Sequence, residues 1–127
     1  MQDLLQTYKN MEEYKASIPD WAWALNCAIT VCDADCTIIY MNQRSRETFS
    51  GRGELVGKNL LDCHNPHSVE IIRHLLATGG QNCYTIEKRG VHKMIFQTAW
   101  KRPDGTVGGL VELSMIIPEH MPHHVRE

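Results

Sequence analysis

The sequence predicts an α+β domain: a five-stranded antiparallel sheet with helices packed on one face, preceded by an amphipathic N-terminal helix. Three observations carry that prediction. Hydrophobicity alternates with a period of two over residues 25–41 and again over 82–117, with a helical stretch between. Turn signals divide both blocks into hairpins: Asp33-Ala34-Asp35, Lys88-Arg89-Gly90 and Pro103-Asp104-Gly105. The chain has 127 residues, which is the length of one domain rather than two.

The elements follow in order. Residues 3–15 read as an amphipathic helix with Asp3 as N-cap, Gln6 completing a capping-box-like pair, and Leu4, Tyr8 and Met11 at i, i+4, i+7 beside Leu5. Ile18-Pro19-Asp20 ends it, because proline cannot continue a helix and restricts the residue before it. Leu25, Cys27, Ile29 and Val31 alternate with Asn26, Ala28, Thr30 and Cys32, a half-buried strand with the first set expected inside. After the Asp33–Asp35 turn, Cys36–Met41 is the second strand, and Asn42 caps a short helix running to about Phe49. Gly51, Gly53 and Gly57 leave room for a turn or two of helix around Glu54–Leu61. Asn65-Pro66 starts the long helix, with asparagine at the cap and proline at the first helical position, and Thr78-Gly79-Gly80 ends it. Ser68, Val69, Ile71, Ile72, Leu75 and Leu76 share one side of that helix; His67, Glu70, Arg73 and His74 share the other. Asn82–Lys88, Val91–Lys101 and Thr106–Ile117 are the last strands, with Met94, Phe96 and Trp100 on one face. This divides the chain into a helix and linker over 1–20, the domain over 21–118, and a loose tail over 119–127 carrying His120, His123 and His124.

Composition narrows the function. A formal charge of −2 gives no basic field for nucleic acid or an acidic membrane surface. No apolar run approaches the length of a membrane span, and Met1-Gln2-Asp3 opens no secretory leader, so the expected location is the cytoplasm. The five cysteines, with no CxxC pair, then read as reduced thiols. Catalysis has little support: there is no Gly-x-Ser-x-Gly elbow and no phosphate loop, and Asp33 and Asp35 sit at a turn where local hydrogen bonding is expected. The expectation is a protein that is not an enzyme.

The order β-β-helices-β-β-β resembles the PAS fold. So do Asp33-Ala34-Asp35 between the first strands, Asn42 after the second, Glu54-Leu55-Val56-Gly57-Lys58 before the long helix, and Asp104-Gly105-Thr106 with Gly109 in the last hairpin. The resemblance covers roughly residues 22–117. Asp62-Cys63-His64-Asn65-Pro66-His67-Ser68 is similar to the Cys-His-x-Pro-x-Ser segment of a bacterial PAS subgroup found alone or beside hemerythrin-like domains. The resemblance implies a module that senses a small ligand, cofactor or redox state between sheet and helix and relays it as a homodimer. The output would lie in a partner in trans or in a domain outside this chain. Fold alone does not name the ligand.

Candidate chemistry follows from that frame. In light-sensing relatives a cysteine directly follows a Gly-x-Asn triplet; here Gly57-Lys58-Asn59 is followed by Leu60, which leaves only non-covalent flavin. The proximal histidine of haem relatives falls on Ser68, so His64, just before the helix, is the one haem ligand the pattern offers. Cys63, His64 and His67 suit zinc or iron but lack a fourth ligand, and no metal is expected. Cys27, Cys32 and Cys36 lie on neighbouring strands, where small buried hydrophobes are the ordinary reading and thiol redox sensing the sharper one. Two readings stay open. In one, a small apolar ligand binds among Ile29, Ile38, Tyr40, Ile72, Leu76, Met94 and Phe96, with Asn42 or Cys63 as polar contacts. In the other, the cavity is filled by the chain's own side chains and the domain is a dimerisation or docking module acting through Leu4, Leu5, Tyr8 and Met11.

Overall fold

The computed structural model describes residues 11–127. Helix α1 (Met11–Ala16) is followed by a short α2 (Asp20–Trp23), then β1 (Ala28–Asp33), β2 (Ile38–Met41), α3 (Gln43–Thr48), α4 (Pro66–Thr78), β3 (Gln81–Lys88), β4 (Val91–Lys101) and β5 (Val107–Ile117). Single 3₁₀ turns at Ser50–Arg52 and Leu60–Cys63 link α3 to α4. The strands form one antiparallel sheet in the order β2-β1-β5-β4-β3, so the first and last strands are neighbours near its centre. Residues 118–127 are exposed and form no regular element. Among the described residues no helix is long and apolar enough to cross a membrane.

Capping chemistry fixes the helices where the sequence places them. Asn42 accepts from the Ser45 amide at 3.0 Å and Asn65 from the Ser68 amide at 2.8 Å, each satisfying a donor the helix cannot use internally. Gly79 ends α4 at φ 71°, the left-handed conformation glycine adopts without a Cβ penalty. Pro19 does more than break α1. Its carbonyl accepts from Ala22 and Trp23, which starts α2, an element too short for a periodicity argument to register. Cys36 sits at φ 65°, so β2 starts at Ile38 rather than at Cys36. Glu54–Leu61 forms no α-helix; the Glu54 carboxylate takes the Val56 amide, Gly57 turns at φ 93°, and the 3₁₀ turn starts later, at Leu60.

The sheet faces are the main correction. Along β1 it is Ala28, Thr30 and Cys32 that are buried, while Ile29 and Val31 are half-buried on the opposite face. Alternation with a period of two marks two faces without saying which is inside. Here the outer face is also rich in apolar residues, and that disguised it. Cys32 packs with Cys36, Ile38 and Leu110 under Ile72 and Leu75 of α4, and this cluster is the core. It lies under β2, β1 and β5, at the end of the sheet where β1 finishes and β5 begins. Trp100 ties that end together: its indole Nε1 donates to the Cys32 carbonyl at 3.0 Å while the ring lies across Gly108 and Gly109.

Candidate functional site

Cross-strand register arranges the inner face in rows. Next to the core row comes a polar one, Thr30 opposite Glu112, Glu112 opposite Gln97, and Gln97 opposite Asn82. Asn82 Nδ2 donates to Gln97 Oε1 at 3.1 Å, and Gln97 Nε2 donates to Glu112 Oε2 at 2.9 Å. An ionised carboxylate only accepts, so Glu112 fixes the orientation of both amides. At the other end of the row the Thr30 and Ser45 hydroxyls share a 2.6 Å hydrogen bond. Beyond it lies a mixed row of Ala28, Ser114, Ile95 and Tyr84, and then Ile116, Lys93 and Ile86.

Helices α3 and α4 leave these outer rows incompletely covered. A cleft of about 240 Å³ opens between α3 and the sheet, with Thr30, Ser45, Glu112, Ser114 and Lys93 among its polar lining and Phe49, Ile86 and Ile95 as apolar walls. A second opening of about 370 Å³ lies between the start of α4 and the β3–β4 hairpin, lined by His67, Ser68, Ile71, Asn82, Tyr84 and Gln97. Tyr84 borders both. Burial, reinforced by the Glu112 charge, raises the Tyr84 phenol above its ordinary range, so it stays a neutral hydrogen-bonding group at physiological pH.

The expected site residues divide between the two faces. Ile38 and Ile72 are fully buried in the core, Leu76 packs beside them, and Cys63 borders a void of about 10 Å³ next to His64. Ile29, Tyr40, Met94 and Phe96 lie on the outer face: Ile29 is in register with Leu113, Tyr40 with Val31, Met94 with Met115 and Phe96 with Leu113. They cannot line a sheet–helix cavity, and the inverted face assignment is the reason. Asn42 faces the interior, but its side chain is already spent. Its Oδ1 accepts from Ile29 and Ser45, and its Nδ2 donates to Cys27 and Ala22, leaving no contact for a ligand. Leu4, Leu5 and Tyr8 lie outside the described residues, and Met11 opens α1. Nothing in the sequence singles out the polar row, since alternation with a period of two does not say which parity faces inward. The apolar set on the other parity, Met94, Phe96, Leu113 and Met115, points to the opposite face as the buried one, so the strands carry no local signal for the polar row.

His64 does turn inward, yet its surroundings do not fit haem. Its Nδ1 donates to the Leu60 carbonyl at 2.9 Å, and its Nε2 stands 4.0 Å from Glu112 Oε2. The adjoining void of about 10 Å³ is the size of a single water, far short of a tetrapyrrole. Among the described residues no three His, Cys, Asp or Glu side chains converge on a metal position. Cys32 and Cys36 lie together in the core, and burial pushes both thiols up, Cys32 to about 12. Such thiols are almost wholly protonated at neutral pH and react slowly.

The sequence over residues 26–115 matches the PAS domain family, and the chain belongs to that family. No curated protein matches the sequence closely enough to count as a relative. Solved structures with the same fold include the PAS domain of histidine kinase ThkA, at 14% identity and a TM-score of 0.59, with the similarity covering 70% of this chain and 97% of that one. The Aer2 receptor from Vibrio cholerae, a dual PAS-heme oxygen sensor, is 21% identical with a TM-score of 0.54, over 72% of this chain and 95% of that one. VqmA bound to DPO is 15% identical with a TM-score of 0.58, over 82% of this chain and 57% of that one.

Proposed function

We propose that this PAS domain is a sensory module that binds a small molecule in the cleft between the inner sheet face and α3. The observation that carries the reading is the row Asn82, Gln97, Glu112. It is a directional hydrogen-bond chain across three strands that ends in a half-buried carboxylate at an open cleft. Polar groups facing the helices instead of water weaken a core, and a chain built only for stability would place apolar residues there. Binding, rather than catalysis, is the expected activity. Two neighbours of the same fold support a small-molecule occupant, one being a PAS-heme oxygen sensor and the other bound to DPO.

The relay runs through the sheet. Any ligand touching Glu112 touches β5, and the same strand presents Val111, Leu113 and Met115 on the outer face, beside Ile29, Val31, Met94 and Phe96. A half-exposed apolar face of this kind suits a second copy of the chain or a partner protein, with the N-terminal residues Leu4, Leu5, Tyr8 and Met11 as the expected companions. Native mass spectrometry tests the binding reading on chain purified without denaturation. One low-mass molecule per chain, released on denaturation and with no visible absorption band, is the expected result. Its loss in Ser114→Phe, which fills the cleft floor, places it in the cleft. Wild-type chain that takes up nothing, even from a small-molecule extract of the source cells, overturns this reading in favour of a ligand-free docking module.

A further inference from the structure

We infer that the cleft takes a dipolar small molecule, with an ammonium or other strong N–H donor at one end, a carboxylate or other strong acceptor at the other, and a short apolar body between. This names the ligand class of the site proposed above and rests on that reading. The donor end is set at Glu112. Its Oε2 takes the Gln97 amide, while Oε1 accepts no hydrogen bond among the described residues.

The acceptor end is set at Lys93. It stands on the same inner face, lines the same cleft, and is half-buried. Among the described residues it makes no ion pair, and the nearby Glu47 is held by Arg44 at 3.6 Å. The two charges do not neutralise each other. Lys93 is opposite Ile116, four residues along β5 from Glu112, so strand rise and strand spacing separate the two backbone positions by about 14 Å. Ile95, Ile86 and Phe49 provide the apolar wall between them.

The probe is 4-(aminomethyl)benzoate, with benzylamine and 4-methylbenzoate as its one-ended counterparts, titrated into the ¹⁵N-labelled full chain and followed by amide shifts. The dipolar probe is expected to bind at least tenfold more tightly than either counterpart, moving the amides of Ala28, Ile95, Glu112 and Ser114. Lys93→Met should abolish its advantage over benzylamine alone, and Glu112→Gln its advantage over 4-methylbenzoate alone. Lys93 stands at the cleft rim, so its replacement leaves the fold intact even if Glu112→Gln does not. Equal binding by the three probes, or binding by none, overturns the dipolar class. The cleft as the ligand site falls only if the cell extract also leaves those amides unmoved.

Discussion

Asn42→Ala separates a structural pin from a ligand contact. The Asn42 side chain is completely buried and makes four hydrogen bonds, from Ile29 N at 2.9 Å and Ser45 N at 3.0 Å, and to Cys27 O at 2.8 Å and Ala22 O at 3.3 Å. These join α2, the entry to β1 and the first turn of α3 in one place. Alanine removes all four and leaves the partner backbone groups unsatisfied, at about 1 kcal/mol net for each bond and more where water cannot enter. The lost N-cap is included in that sum, since the Ser45 bond is the cap. A destabilisation of about 3–5 kcal/mol follows, which for a domain of this size lowers Tm by roughly 10–20 °C. Urea titration and thermal melting followed by circular dichroism measure it directly. A loss below about 1 kcal/mol would refute the reasoning, because side-chain bonds to backbone groups elsewhere in the fold would then carry almost no stability. Asn42→Asp sharpens the test. It keeps both accepted bonds but sets a carboxylate oxygen against the Cys27 and Ala22 carbonyls, so it should recover little of the loss.

Other outcomes follow from the same geometry. In Gly109→Ala a Cβ would stand 1.9 Å from the Cys32 carbonyl and 2.7 Å from Trp100 Nε1, so the β1–β5 pairing must open; a destabilisation above about 3 kcal/mol is expected in urea, against about 1 kcal/mol for Gly105→Ala, where only the positive φ resists. Thiol alkylation of the native chain, mapped by peptide mass, should label exposed Cys83 first and Cys32 last. Cys32 and Cys36 are held protonated by the fold, so their contribution to stability is complete below the ordinary thiol value of 9.0 and is lost as pH rises from there toward about 12. Melting temperature should therefore fall across that alkaline window, and Cys32→Ala should flatten the fall. Deleting residues 1–17 should reduce association, measured by light scattering, while leaving the cleft's ligand content unchanged.

What the sequence revealed depended on whether the signal was local. The Asn42 and Asn65 caps, Pro66 at the first turn and Gly79 at the end act within a few residues, and the helices formed where those residues stand. Lys88-Arg89-Gly90 set a tight hairpin, with Arg89 and Gly90 both at positive φ, the geometry that matches strand twist. Which face of the sheet meets the helices is a different kind of fact. Ile29 and Val31 carry more apolar surface than Ala28 and Thr30, yet the smaller pair is inside, where the Thr30 hydroxyl meets Ser45 of α3. Nothing within β1 states this. The misplacement of Ile29, Tyr40, Met94 and Phe96 and the missed row of Asn82, Gln97 and Glu112 are one error seen from two sides. Asn42 illustrates a further limit: its capping role is legible, but the two bonds of its amide nitrogen come from residues 15 and 20 positions earlier.

On the function proposed above, the inner cleft rather than the outer sheet face receives the signal. Amide-resolved NMR of the full ¹⁵N-labelled chain, titrated with a small-molecule extract of the source cells, tests it most directly. Saturable shifts are expected at Ala28, Thr30, Ile95, Glu112 and Ser114, and their loss in Ser114→Phe. Saturable shifts confined to outer-face contacts such as Val31, Val111 and Phe96, or persisting unchanged in Ser114→Phe, would contradict it.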